Sequence, residues 1–259
     1  MMYYFGHYLW QGELWLTDQG FHISAEATSS QYIPVPPLMT PEMVPFATGV
    51  FAVLSSLYLF GYGRKILNWV FCALCIYIQA MDQPSSFSVN RLLISYFFLL
   101  SLQPPEEEVE GKRVMSGWLF RIIQLTLALQ YFGAGICKGY FGDWLNDMNY
   151  VIWSQSQGHY KNLLSAWAIH EMPGFMWSFF AWGTLILETG APFFLFYNKR
   201  TRLFCILGCF LMHLGIAVLM KDLIFFSFQM VTAYVFFLPE QWVLRPMEWL
   251  REKIPIFRY

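Results

Sequence analysis

Three ionisable side chains lie within long apolar stretches of the sequence, where an unpaired charge is costly. Glu188 lies nine residues before the end of one apolar run at Tyr197, and His213 lies ten residues after the start of the next run at Leu203. If the two runs form consecutive antiparallel helices, both side chains lie near mid-helix and can meet. Arg121 lies near the start of an earlier run, from which it can reach the membrane surface or extend toward Glu188. Such groups either line a functional cavity or form a hydrogen-bonded cluster that fixes helix packing, and the sequence leaves both readings open.

A polar stripe runs along the apolar run that begins at Gly117. Gln124, Tyr131 and Lys138 recur every seven residues and therefore share one face of a helix. A lysine at a helix end is most often an interfacial anchor, which is one interpretation of Lys138. Partial burial would instead disfavour its ammonium, and a neutral amine is a usable base. Lys138 is therefore our candidate catalytic base, with Glu188 and His213 as candidate partners.

The surroundings of Lys138 also contain small and aromatic residues. Gly135 and Gly139 form a G-x-x-x-G pair that allows another backbone to approach closely. Asp143 and Trp144 follow, at the start of a connection rich in aromatic residues that extends to position 172. We expect this connection to lie at the membrane interface as short helices or to cover a cavity.

The cysteines do not indicate a metal or redox site. Cys72 and Cys75 form a C-x-x-C pair inside an apolar run, with no basic residue nearby to stabilise a thiolate. The five cysteines have no framework spacing and are interpreted as small core residues.

The composition indicates that a membrane positions these groups. Hydrophobic residues make up 57% of the 259 residues and charged residues only 13%, against about 25% in soluble domains. The 16 basic and 17 acidic residues give no indication of a nucleic-acid partner. Seven apolar runs are candidate spans, which predicts an all-α, polytopic helical bundle. The runs are 43–63, 66–81, 92–102, 117–137, 173–197, 203–220 and 223–238.

The positions of the basic residues predict the topology of this bundle. Eleven of them fall in alternate connections and in the tail, which the positive-inside rule assigns to the cytoplasm. They are Arg64, Lys65, Lys112, Arg113, Lys199, Arg200, Arg202, Arg245, Arg251, Lys253 and Arg258. Only four others fall in the opposite connections, namely Arg91, Lys138, Lys161 and Lys221. Lys138 is therefore expected on the extracytoplasmic side of a multi-pass protein of the cell membrane.

One domain is expected over residues 1–259. Residues 1–42 contain no lysine or arginine and are predicted to be extracytoplasmic, residues 43–238 to form the membrane bundle, and residues 239–259 to form a cytoplasmic interfacial tail. An exported start without a basic leader suggests that a first helix is missing, and direct insertion with the N-terminus outside is the alternative.

The segment from Tyr131 to Lys138, YFGAGICK, followed by Asp143 and Trp144, resembles a pattern in vitamin K-dependent gamma-glutamyl carboxylases. That pattern is Tyr-Phe-x-Ala-Gly-x-x-Lys, then Asp-Trp, and the wider group is the horizontally transferred transmembrane (HTTM) domain family. The similarity covers most of the chain. Its other elements are Asp18-Gln-Gly20, Met81-Asp82, Phe87-Ser-Val89, Met212-His213 and the span ending at Leu238.

The resemblance implies a bacterial membrane protein in which the lysine at position 138 deprotonates a reduced quinone. In the carboxylases the quinol anion reacts with oxygen, and the base so formed removes a gamma proton from a glutamate before carbon dioxide adds. Ser85 stands where the carboxylases have a catalytic histidine, and Asn90 replaces an aspartate. The chain also ends at Tyr259, without the large extracytoplasmic domain of the carboxylases. These three departures argue against glutamate carboxylation.

Two functions are carried forward from the sequence. The first is quinol-dependent modification of a small peptide or secreted protein at the extracytoplasmic side, with Lys138 as base. The second is a non-enzymatic membrane accessory for peptide export, maturation or immunity, in which the polar residues serve packing.

Overall fold

The computed structural model describes residues 9, 11–20, 22, 36–81, 88–104, 107–109, 112–114, 117–147, 150–158 and 160–253. The regular secondary structure of these residues is helical apart from one short hairpin, in which β1 (Glu107–Val109) pairs antiparallel with β2 (Lys112–Val114). The chain divides into two compact units, one of residues 1–119 and 241–259 and the other of residues 120–240. Each candidate span falls on a helix, because its apolar side chains favour an internally hydrogen-bonded backbone.

The first unit contains the helices before position 117 and the C-terminal helix. They are α1 (Gly12–Leu16), α2 (Met43–Leu59), α3 (Arg64–Met81), α4 (Ser88–Ser101) and the C-terminal helix, which is α11 (Glu240–Lys253). Its core packs aromatic rings edge to face, as in the pair Phe51 and Phe71 at 5.9 Å between centroids. Gly61 and Gly63 take φ values of +84° and +60° between α2 and α3, a backbone conformation that favours glycine.

The second unit contains the helices that carry most of the candidate site. They are α5 (Gly117–Ile136), α6 (Val151–Gln157), α7 (Leu163–Glu171), α8 (Gly174–Tyr197), α9 (Lys199–Leu219) and α10 (Ile224–Thr232). A π-helical turn, Cys137–Phe141, continues α5, and 3₁₀ turns follow at Asp143–Leu145 and Ala233–Phe237.

The turn between α8 and α9 is fixed by a capping box. The Asn198 side chain accepts hydrogen bonds from the backbone N–H groups of Arg200 and Thr201, each at 2.9 Å. The Thr201 hydroxyl accepts in return from the Asn198 N–H at 3.2 Å. This cap starts α9 immediately after α8 and makes the two helices antiparallel neighbours.

Three helices are long and apolar enough to cross a membrane, namely Gly117–Phe141, Gly174–Tyr197 and Lys199–Leu219. They contain 25, 24 and 21 residues, respectively. Met43–Leu59, Asn90–Ser101 and Ile224–Phe237 are shorter apolar helices. A membrane location is therefore supported by three helices, and the seven-span arrangement stays a prediction.

Candidate functional site

Lys138 and Glu188 form an ion pair in the second unit. The Lys138 Nζ donates to both carboxylate oxygens of Glu188, with 2.6 Å to Oε2. The Lys138 side chain is 30% exposed and that of Glu188 only 6%. The pair is thus open on the lysine side and closed on the carboxylate side.

The π-helical turn after α5 presents Lys138 to this partner. The Gly142 N–H donates to the Cys137 carbonyl at 3.1 Å and closes the wide turn that contains Lys138. A Cβ at Gly142 would lie 2.8 Å from the Lys138 carbonyl oxygen, so the chain needs glycine where it leaves the turn. Single π-helical turns inside α-helices are frequent at functional sites.

Trp144 is a second neighbour of the Lys138 amine. Its ring centroid lies 5.3 Å from the Lys138 Nζ, within the range of a cation–π interaction. The indole is buried and packs in a small apolar cluster with Val151, Ala181 and Leu185. Asp143, its neighbour in the sequence, is exposed. Of these two predicted site residues, the structure therefore brings only Trp144 to the lysine.

A second polar cluster surrounds Tyr131. Its hydroxyl lies 2.9 Å from His213 Nε2 and 2.5 Å from the Tyr234 hydroxyl. All three side chains are buried, and the His213 ring also packs against Phe226 at 5.3 Å between centroids. His213 Nδ1 has no hydrogen-bond partner among the described residues.

Gln124 and Arg121 interact at the other end of the same helix. The Arg121 Nη1 donates to Gln124 Oε1 at 3.1 Å, and Gln124 Nε2 donates to the Phe236 carbonyl at 2.6 Å. Gln124 is buried, whereas Arg121 is exposed. Gln124 therefore joins α5 to the 3₁₀ turn that follows α10.

The partners of Glu188 and His213 differ from those expected. Neither side chain bonds to the other: Glu188 contacts Lys138, and His213 contacts Tyr131. Tyr131 and Lys138 share the α5 face two turns apart, about 10 Å along the axis. Each polar group on α8 and α9 thus meets a different level of the stripe on α5. The expected reach of Arg121 toward Glu188 gives way to a local bond with Gln124.

Tyr234 is the site residue that sequence reasoning missed. It follows α10 in a 3₁₀ turn, and its ring stacks on Tyr131 with 6.5 Å between centroids. A tyrosine within the apolar run 223–238 was the available signal, since a buried tyrosine hydroxyl usually finds a hydrogen-bond partner.

The residues tied to the carboxylase comparison in the first unit are only partly described. Asn90 on α4 is buried, and its Oδ1 has no hydrogen-bond partner within the described residues. Met81 ends α3 and is buried. The predictions for Asp82, Ser85 and Phe87 lie outside the described residues.

The chemistry available at the site is proton transfer. The described part of the chain contains no group of three or more His, Cys, Asp or Glu side chains that could hold a metal ion. Lys138 offers a partly exposed amine over the buried ring of Trp144, and such an amine can bond a weakly acidic hydroxyl such as that of a reduced quinone. Glu188 offers a carboxylate that can hold the proton of the ammonium.

Comparisons with known proteins do not identify the chain. No family model matches it, and neither a curated protein nor a solved structure matches it. Membership of the HTTM family therefore stays a prediction based on the residues from Tyr131 to Trp144.

Proposed function

We propose that this chain is a multi-pass protein of the cell membrane whose Lys138 takes a proton from a reduced quinone on the extracytoplasmic side. The proton transfer begins the modification of a small peptide or secreted protein. The observation that carries the proposal is the Lys138–Glu188 contact, because it gives the lysine a partner that can accept its proton.

The ion pair solves a difficulty with lysine as a base. An ammonium has no lone pair, so Lys138 must first lose a proton. Transfer from Nζ to a Glu188 oxygen turns two charges into a neutral amine and a neutral acid. Surroundings of low polarity reduce the cost of this transfer, since they penalise both separate charges. The neutral amine then accepts the hydroxyl proton of the reduced quinone. It becomes an ammonium beside the negative charge left on the quinone oxygen.

Exposure supports the division of roles within the pair. The lysine is the more exposed partner, at 30% against 6% for Glu188. A ligand therefore meets the amine, while the carboxylate stays shielded. The buried ring of Trp144 lies under the amine and supports it by a cation–π interaction. A reduced quinone supplies the acidic hydroxyl and the electrons for a reaction with oxygen.

The proposed orientation places Lys138 at the outer end of its span. The basic residues at the start of α9 favour a cytoplasmic position for the start of that helix. Aromatic side chains of the connection that follows Lys138 are exposed, including Tyr140 at 80%, Phe141 at 78% and Trp167 at 58%. Exposed aromatic residues at span ends are typical of the membrane–water interface.

Oxygen consumption with a defined quinol tests the proposal. The protein is purified into lipid nanodiscs and supplied with menaquinol-4 and dissolved oxygen. We expect oxygen uptake faster than in empty nanodiscs, and a loss of about 100-fold or more in Lys138→Met and Glu188→Gln. Lys161→Met, which removes an exposed lysine of the same connection, is the matched control and should keep the wild-type rate. Uptake at the empty-nanodisc rate, or full activity in Lys138→Met, would contradict the proposal.

A non-enzymatic accessory is the second candidate, favoured by the closed geometry of the same pair. Both carboxylate oxygens are bonded to one ammonium, which is what a structural clamp between α8 and the end of α5 requires. In that case the double variant Lys138→Met/Glu188→Gln, which removes both charges but keeps the volume, should retain peptide export or maturation in cells. The enzyme hypothesis requires this double variant to be inactive.

A further inference from the structure

The helices of the Lys138–Glu188 pair are closely packed at Gly135. Gly135 is buried on α5, and a Cβ at this position would lie 2.8 Å from both the backbone N and the Cγ2 of Thr189. It would also lie 3.0 Å from the Cβ of Glu188. Two of these three atoms, the Thr189 backbone N and the Glu188 Cβ, are fixed by the backbone and cannot rotate away. Any larger residue at position 135 must therefore push α8 outward.

The place of this contact along α5 matters for the ion pair. Gly135 precedes Lys138 by three residues, so both lie on the same side of the helix about one turn apart. The atoms that Gly135 contacts belong to Glu188 and to the next residue, Thr189. The spacing of the two backbones at Gly135 is thus the spacing that the Lys138 and Glu188 side chains must bridge.

We infer that Gly135 is a positioning residue, whose missing side chain sets the distance at which Glu188 meets Lys138. The inference rests on the proposed function, because it explains how the base is held against its proton acceptor. The neighbouring glycines have different surroundings. A Cβ at Gly133 would meet nothing within 4 Å, and one at Gly139 would only touch Leu145 at 3.9 Å. Gly133 therefore provides a matched control on the same helix.

Chemical labelling of lysines in the folded protein tests this inference. The purified protein is treated briefly with acetic anhydride, and mass spectrometry gives the labelling rate of Lys138 relative to the exposed Lys161 in the same molecules. In the wild type we expect Lys138 to react on the order of tenfold more slowly, because its Nζ is held by both carboxylate oxygens of Glu188 and is less free to attack the reagent. Glu188→Gln removes that partner and defines the fast rate. Gly135→Ala should approach the fast rate, and Gly133→Ala should keep the slow one.

A general loss of stability cannot imitate this result, since only the monodisperse fraction from size-exclusion chromatography is labelled and Lys161 is an internal reference. If Gly135→Ala yields no such fraction, Thr189→Ile enlarges the same contact from α8. Thr189→Val is its control, because valine keeps the volume of threonine and removes only the hydroxyl that donates to the Leu185 carbonyl. Thr189→Ile should then raise the relative rate of Lys138, and Thr189→Val should not.

Slow labelling of Lys138 in folded Gly135→Ala, or in Thr189→Ile where that variant replaces it, would overturn the inference. Equal rates in Gly133→Ala and Gly135→Ala would also overturn it. These outcomes are independent of menaquinol oxidation. If the labelling pattern is as expected but menaquinol-4 is not oxidised, the proposed function fails and the positioning of the pair stands.

Discussion

Lys138 and Glu188 share an ion pair whose two members differ fivefold in exposure, 30% for the lysine side chain and 6% for the glutamate. The Lys138 Nζ lies within hydrogen-bonding distance of both carboxylate oxygens. A buried carboxylate depends on its partner more than a partly hydrated ammonium does, since desolvation is the larger cost for the more buried charge. Because of this asymmetry, the lysine faces the surroundings and the glutamate faces the protein interior.

The first prediction concerns the stability of this pair. Lys138→Met leaves a buried carboxylate unpaired and should lower the free energy of unfolding by about 3 kcal/mol. Glu188→Gln should cost less, because the remaining ammonium can reach water. The double variant should recover part of the loss. Denaturation in detergent micelles measures all three, and strictly additive effects would show that the two side chains do not interact.

The second prediction concerns the hydroxyl of Tyr131. Tyr131→Phe removes the contacts with both His213 and Tyr234, whereas Tyr234→Phe removes only one of them. We expect Tyr131→Phe to lower the free energy of unfolding by about 2 kcal/mol and Tyr234→Phe by about 1 kcal/mol. Tyr140→Phe, at a side chain that is 80% exposed, is the control and should have no measurable effect. The reverse order for the first two variants would contradict the hydrogen-bond pattern.

The third prediction concerns the contribution of the buried Trp144 ring to stability. Trp144→Ala removes a buried indole from its apolar cluster and should lower the free energy of unfolding by about 3 kcal/mol. Trp144→Phe keeps most of the packing and a ring face, so it should cost about 1 kcal/mol. Trp167→Ala, at an exposed tryptophan, serves as the comparison. Equal losses in Trp144→Ala and Trp167→Ala would show that the Trp144 cluster adds no stability.

The fourth prediction concerns the buried amide of Gln124. Gln124→Leu removes the bond to the Phe236 carbonyl and the bond from Arg121. The expected loss in the free energy of unfolding is about 1–2 kcal/mol, since a bond buried among apolar helices is not replaced by water. Gln130→Leu, at a half-buried position of the same helix, should cost less. A larger loss at position 130 would argue that the stripe on α5 is not the packed face.

The fifth prediction tests orientation in the membrane. Asp147 follows the helix Gly117–Phe141, and Lys199 begins the helix Lys199–Leu219. Both residues are exposed. In a Cys137→Ser background, Asp147→Cys should react with an impermeant maleimide in intact cells. Lys199→Cys should react only after permeabilisation. The four remaining native cysteines are buried, so the parent variant should show little labelling. Labelling of Lys199→Cys in intact cells would reverse the proposed topology.

The sequence determined the helices and the face of α5 that carries the polar stripe. Apolar runs must satisfy their backbone groups internally, which makes them helical, and a seven-residue repeat keeps Gln124, Tyr131 and Lys138 on one side. All three lie on the partly or fully buried side of the helix in the structure. These features follow from local composition and spacing, which are properties of a single segment of the sequence.

The tertiary structure alone decided which polar groups meet. Depth along the chain suggested Glu188 and His213 as partners, but α5 lies against both helices and offers each a different residue. The choice depends on how closely two backbones approach, as at Gly135, and on where a helix widens, as in the π-helical turn before Gly142. Such spacings arise from packing between segments far apart in the sequence, so periodicity within one segment does not specify them.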